Sequence, residues 1–180
     1  MKRSALQVLA ALCLLLGTAR LASAADDLAQ WKTFIAARGG FSVSVPTIPM
    51  EASQPDGVAY GLEVGSLALA VVYNDYAAAK VEQQKPDALL NAARDAMLVE
   101  GRGKKSKLLG EGKVAQSGIE GREFRAVTTA GMLLRVRMFL VKQRMYQLIV
   151  AMPSKSEKGL EKQTLKFLDS FQLVAPPKSP

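Results

Sequence analysis

Glu123, Arg125, Arg135 and Arg137 are the residues of this 180-residue chain whose types and spacing come nearest to a site. They alternate with Phe124, Ala126, Leu134, Val136 and Met138, the two-residue period of half-buried strands. If Thr129-Ala130-Gly131 forms a three-residue turn with Gly131 in the left-handed position, Thr128 faces Met132 and the two runs become a hairpin. One face of that hairpin is apolar and the other charged, a separation that a one-residue slip would destroy. Three guanidiniums beside one carboxylate could grip a carboxylate or phosphate through forked hydrogen bonds. The same residues equally serve as cross-strand ion pairs beneath a helix or at a wet edge, and the sequence favours this structural role. On that reading Arg137→Gln costs little, on the order of 0–1 kcal/mol.

A second charged group, Arg102, Lys104, Lys105 and Lys107, crowds past the end of a helical pattern. It reads as a patch for an anionic ligand or membrane surface, or as a solvated loop whose cations complement the helix dipole. The second role is favoured. The chain has no histidine, and its one cysteine, Cys13, lies in the N-terminal apolar run. Without Cys13 the remainder can build no disulfide, thiolate nucleophile, imidazole base or Ser-His-Asp triad. No serine precedes a lysine at the spacing of a Ser–Lys dyad, and neither a phosphate loop nor an EF-hand pattern is present. Gly110-Glu111-Gly112-Lys113 imitates a dinucleotide fingerprint but lacks the helix that must follow it, so it reads as a strand with a bulge or turn. No cofactor and no metal are expected. The formal charge of +8 is spread along the chain rather than gathered into the stripe of a nucleic-acid binder.

The elements that would position these residues can be read from the pattern. Leu28, Trp31, Phe34 and Ile35 have helix-like spacing in an N-terminal segment. Phe41 to Val45 alternates as a strand that Pro46 and Pro49 end. Ser53 to Gly57 reads as a loop. Val58 to Val64 and Leu67 to Tyr73 are joined by Gly65-Ser66, the composition of a type II′ hairpin turn. Pro86 opens a helix with Leu89, Leu90, Ala93 and Met97 on one side, and Gly101 can close it. A third hairpin strand, with a three-residue turn at Lys142 to Arg144, brings Tyr146, Leu148 and Val150 alongside Leu140, Met138 and Val136. Ser154 and Glu157 have capping-box spacing ahead of a helix with Leu160, Thr164, Leu168 and Phe171 on one side. A short closing strand at Ser170 to Val174 then precedes a Pro-rich tail.

Residues 1–24 read as a secretory signal peptide. Lys2 and Arg3 precede the apolar run Ala5 to Leu16, and Ala22-Ser23-Ala24 supplies the small residues of a cleavage site between Ala24 and Ala25. The run is shorter than a membrane span requires, so no stable transmembrane segment is expected after cleavage. The expected organisation is signal peptide 1–24, one α+β domain at 25–174 and a tail at 175–180. The expected location is the periplasm or the exterior, which makes nucleic acid still less suitable as a partner.

The chain resembles the PsbP-like family of small secreted and lumenal proteins. The resemblance is carried by Trp31 ahead of Phe41-Ser42-Val43-Ser44-Val45-Pro46, by Val72-Tyr73-Asn74-Asp75-Tyr76 before the first main helix, and by Gly118-Ile119-Glu120-Gly121-Arg122-Glu123-Phe124. Tyr146 and Asp169-Ser170-Phe171 complete it. It implies a single antiparallel sheet with helices packed against it, an α-β-α sandwich, and a non-catalytic role. Family members that bind metal use histidine, which this chain lacks, so metal binding and any photosystem role are not implied. The leading expectation is an exported non-enzymatic domain that binds a protein or envelope partner. The alternative is a carrier of a small anionic ligand or lipid, or a hydrolase, using the arginine face and carboxylates such as Glu123. The sequence leaves the oligomeric state open.

Overall fold

The computed structural model describes residues 30–55 and 57–174. The segment read as a signal peptide, with its expected cleavage between Ala24 and Ala25, and the tail at 175–180 lie outside the described residues. Ten strands and three helices follow in order: β1 (Lys32–Ala36), β2 (Phe41–Val45), β3 (Met50–Gln54), β4 (Gly57–Val64), β5 (Leu67–Asp75), α1 (Ala78–Gln83), α2 (Pro86–Leu98), β6 (Lys107–Gln116), β7 (Ile119–Val127), β8 (Met132–Val141), β9 (Arg144–Pro153), α3 (Glu157–Asp169) and β10 (Gln172–Leu173).

The strands form two antiparallel sheets rather than the single sheet expected. Seven strands run β3-β4-β5-β9-β8-β7-β6, and three run β1-β2-β10. Pro46 and Pro49 break the ladder after β2, so that strand cannot continue into β3. It pairs instead with β1 and with the late β10, and drives Phe41, Val43 and Val45 into the core shared with the larger sheet. Residues 32–36 are accordingly strand and not helix. Phe34 and Ala36 turn inward while Thr33 and Ile35 face out, a period of two that the spacing of Trp31, Phe34 and Ile35 had mimicked.

Alternation along the large sheet supplies two separate cores. On one face Tyr146, Leu148 and Val150 of β9 meet the small sheet and Phe167, Leu168 and Phe171 at the end of α3. On the other, Met145, Ile149 and Ala151 meet Leu89, Leu90, Ala93 and Met97 of α2. The layers are therefore α2, the seven-stranded sheet, then α3 beside the three-stranded sheet.

The β7–β8 register is the one that the Gly131 turn demands, with Glu123 opposite Arg137 and Arg125 opposite Arg135. Gly131 has φ +77°. The next hairpin is shifted by one residue from expectation. Val141 pairs Arg144 across the two-residue turn Lys142-Gln143, in which Lys142 takes φ +55° without the help of a glycine. Leu148 and Val150 consequently lie opposite Arg137 and Arg135 and share their face, so the charged patch borders the apolar centre of the sheet directly. β3 occupies part of the stretch read as loop, and α1 has no counterpart in the sequence reading. The expected capping box does not form. The Ser154 hydroxyl donates to the Gly131 carbonyl at 2.7 Å, and Glu157 turns to Arg125.

Candidate functional site

The charged face of β7 and β8 lies beneath α3, and the helix answers each arginine with an acid. Arg125 pairs with Glu157, Arg135 with Glu161 at 2.9 Å and Arg137 with Asp169 at 2.6 Å. Glu123 joins the two inner rungs, accepting from Arg135 at 2.7 Å and from Arg137 at 2.5 Å. Gln116, at the end of β6, accepts from Arg137 at 3.1 Å and donates to the carbonyls of Leu168 and Phe171, so it also closes the C-terminal end of α3. Three guanidiniums thus stand among four carboxylates. Burial of Glu123 disfavours its charge, yet the hydrogen bonds and charges of Arg137 and Arg135 prevail and hold its pKa below the ordinary glutamate value. Burial likewise opposes the Arg135 charge, but Glu123 and Glu161 outweigh it and raise that pKa.

As partners of the arginines these acids were not read from the sequence: Glu157 was read as a capping residue, Asp169 as part of the family resemblance, and Glu161 was not singled out. Their signal was present: they follow the flank of the apolar stripe of α3 at helical spacing, where a face of arginines needs counter-charges. Two further clusters were also missed. Asp75 holds Arg144 through two hydrogen bonds of 2.6 and 2.7 Å, while the Arg144 guanidinium lies 4.3 Å from the centre of the Tyr73 ring and donates to the Gly39 carbonyl. Tyr146 donates to the same carbonyl at 2.8 Å, so the pair fixes the β1–β2 turn to the sheet. On the α2 side, Glu111 accepts from Arg94 and Arg122, and Arg122 also reaches Asn91 and Asp87.

The segment carrying Lys104, Lys105 and Lys107 is built differently. After α2, Val99 bridges Lys105, the Glu100 amide donates to the Lys104 carbonyl at 2.7 Å, and Ser106 donates from its amide to Leu98 at 2.8 Å. The Glu100 carboxylate accepts from the Ser106 hydroxyl and from the amide and hydroxyl of Thr129. Burial pushes its pKa up, but these hydrogen bonds prevail and hold it below the usual range. The loop is thereby tied to the β7–β8 turn. Gly101 begins a short 3-10 turn there instead of closing α2 at its end. Lys104, Lys105 and Lys107 are exposed, and Lys155 lies at the same end of the sheet, where Ser154 bonds Gly131. The side chain of Arg102 lies outside what the structure describes. Every arginine whose side chain is described sits in a salt bridge, whereas no lysine among the described residues does. No helix among the described residues is long and apolar enough to cross a membrane.

No family model and no curated protein matches the chain. Among solved structures it is similar to the cyanobacterial PsbP protein CyanoP of Synechocystis sp. PCC 6803, with TM-score 0.56 at 12% identity over 89% of this chain and 99% of that one. The fold is PsbP-like. A looser similarity reaches the Ran-binding protein Mog1p of Saccharomyces cerevisiae, with TM-score 0.48 at 10% identity over 81% of this chain and 96% of that one. A protein of unknown function from Pseudomonas aeruginosa, PA94, described as a putative regulator, has TM-score 0.44 at 13% identity over 83% of this chain and 99% of that one.

Proposed function

We propose that the chain is an exported, non-enzymatic binding domain that docks on an acidic protein or lipid surface of the cell envelope through its basic loop. The observation that carries this reading is the division of labour between its cations. Arginines are bound into the scaffold by carboxylates, while no exposed lysine among the described residues sits in a salt bridge, and Lys104, Lys105 and Lys107 gather such charge on a short segment that Glu100 ties to the β7–β8 turn. A preorganised loop loses little conformational freedom when it binds. The arginine face on β7 and β8 is scaffold in this reading. Four carboxylates already surround its three guanidiniums, which leaves no excess positive charge to draw in the anion that a carrier or a hydrolase would need.

The test replaces Lys104, Lys105 and Lys107 together by glutamine. Each lysine near an anionic surface contributes about 1 kcal/mol, so binding to vesicles containing phosphatidylglycerol should weaken by roughly a hundredfold if the surface is lipid. If the surface is an acidic protein, the wild-type chain should ignore the vesicles but capture that protein from the envelope, and the triple variant should lose it. In both cases binding should fall with added salt. Capture that the substitutions and salt leave unchanged would refute the reading. Export is tested separately: mass spectrometry of envelope material should find a chain that starts at or near Ala25 and carries no thiol. A product that retains Cys13, or carries lipid, would overturn the signal-peptide reading.

A further inference from the structure

β6 is an outer strand of the seven-stranded sheet, ten residues long, and no other strand among the described residues pairs with its outer edge. Seven consecutive residues from Lys107 to Lys113 are exposed. One edge of such a strand has main-chain donors and acceptors with no ladder partner, which makes it a template for another strand. The opposite edge strand, β3, is only five residues long and starts directly after Pro49. β6 also carries an imbalance. Lys113 lies directly across from Arg122 of β7, and whereas Glu111 and Asp87 answer Arg122, Lys113 sits in no salt bridge among the described residues.

We infer that the chain forms a symmetric dimer in which the β6 strands of two copies pair antiparallel about Gly112, continuing the sheet across a twofold axis. The register follows from charge. Pairing about Gly112 sets Lys113 opposite Glu111 of the second copy, twice by symmetry, and so brings a carboxylate to a lysine that sits in no salt bridge among the described residues. Pairing about Glu111 would oppose two glutamates, pairing about Lys113 two lysines, and pairing about Gly110 would oppose Lys113 to Lys107. Shape agrees with charge. Val114 of each copy comes opposite Gly110 of the other, where an added Cβ would meet nothing within 4 Å, and the central Gly112 is equally open. The bulge between Leu108 and Gly110 falls outside the five central residues Gly110–Val114, whose pairing with β7 is regular. This inference stands apart from the proposed role of the basic loop.

A single introduced cysteine reads the register directly. In a Cys13→Ser background the chain has no other thiol, because Cys13 is its only cysteine. Residues directly opposite in an antiparallel pair have Cα atoms about 4.5–5.5 Å apart, within the range that a disulfide spans. Gly112→Cys should therefore oxidise to a cross-linked dimer. Gly110→Cys, which faces Val114, and Gly159→Cys, on the open surface of α3, should stay at the background of random collision. Analytical ultracentrifugation of the unmodified chain should give twice the monomer mass. Lys113→Glu should give the monomer mass while the chain stays folded, since the new carboxylate opposes Glu111 of the second copy at a position that is exposed in the single chain. A parent that stays monomeric at its highest soluble concentration would overturn the inference. So would cross-linking through Gly110→Cys in preference to Gly112→Cys, or a Lys113→Glu variant that remains dimeric.

Discussion

Glu123→Gln is expected to destabilise the folded chain by about 3 kcal/mol, the lower end of the cost of removing one partner from a buried ion pair. Glu123 is the carboxylate shared by Arg135 and Arg137, and its side chain retains 20% exposure while theirs retain 16% and 9%. The amide supplies one acceptor oxygen where two guanidiniums now find two, and it removes the negative charge that separates them. Arg125→Gln is the control. It breaks the outer rung to Glu157, where the arginine side chain is 41% exposed, and should cost less than about 1 kcal/mol. Urea unfolding of both variants at neutral pH measures the difference, and equal small losses would mean that the network contributes no more than surface pairs do.

The same carboxylate gives the chain an acid response of defined sign. Because Glu123 has a lower pKa folded than unfolded, the unfolded state takes up its proton first. The contribution of the ionised group is therefore complete at neutral pH and is lost as pH falls through the folded-state pKa. Glu100 and Asp75 are shifted downward as well, the latter chiefly by its hydrogen bonds from Arg144. Stability should decline from about pH 4 downward. The Glu123→Gln chain should lose less over that window than its parent, having already forfeited one of the three contributions.

The energetic scale of this patch is where the sequence reading and the structure part. The alternation of Glu123 to Arg137 located the ion pairs correctly, because strand period and the Gly131 turn are local properties. Their depth depends on α3, which arrives after β9, and on a turn at Lys142 that no glycine announces. With that turn one residue shorter than expected, Leu148 and Val150 stand beside the arginines, and Arg137 falls to 8% exposure. Arg137→Gln, read from the sequence as costing on the order of 0–1 kcal/mol, becomes costly at this depth. The second sheet was hidden for a related reason. β2 and β10 are separated by well over a hundred residues, and the two residues of β10 carry too little pattern to reveal a partner. Helices with long amphipathic stripes were legible, as α2 shows in burying Leu89, Leu90, Ala93 and Met97, all four of the apolar residues read on its inner side.

Gly121→Ala is expected to be at least as damaging, with a loss of about 3 kcal/mol, the upper end of the usual cost of overpacking. Gly121 begins the paired stretch of β7 opposite Phe139, and a Cβ there would lie 2.3 Å from the Met138 carbonyl oxygen and 2.5 Å from the Phe139 ring. That carbonyl belongs to β8, a strand paired on both sides, so it cannot yield as a flexible side chain would. The ring is fixed too, stacked parallel on Phe171 with centres 5.5 Å apart. Accommodating one methyl group therefore means parting β7 from β8 at the end where Gln116 secures α3. The adjacent edge strand supplies the contrast. At Gly110 an added Cβ meets nothing within 4 Å and φ is not positive, so Gly110→Ala should be neutral or should stabilise by up to about 1 kcal/mol through the reduced freedom of the unfolded chain. Thermal and urea unfolding of the two variants should separate them by several kcal/mol. A Gly121→Ala chain as stable as its Gly110→Ala counterpart would mean that β7 and β8 have room to move apart, and that the glycine in Gly118-Ile119-Glu120-Gly121 is not required by the close approach of the two strands.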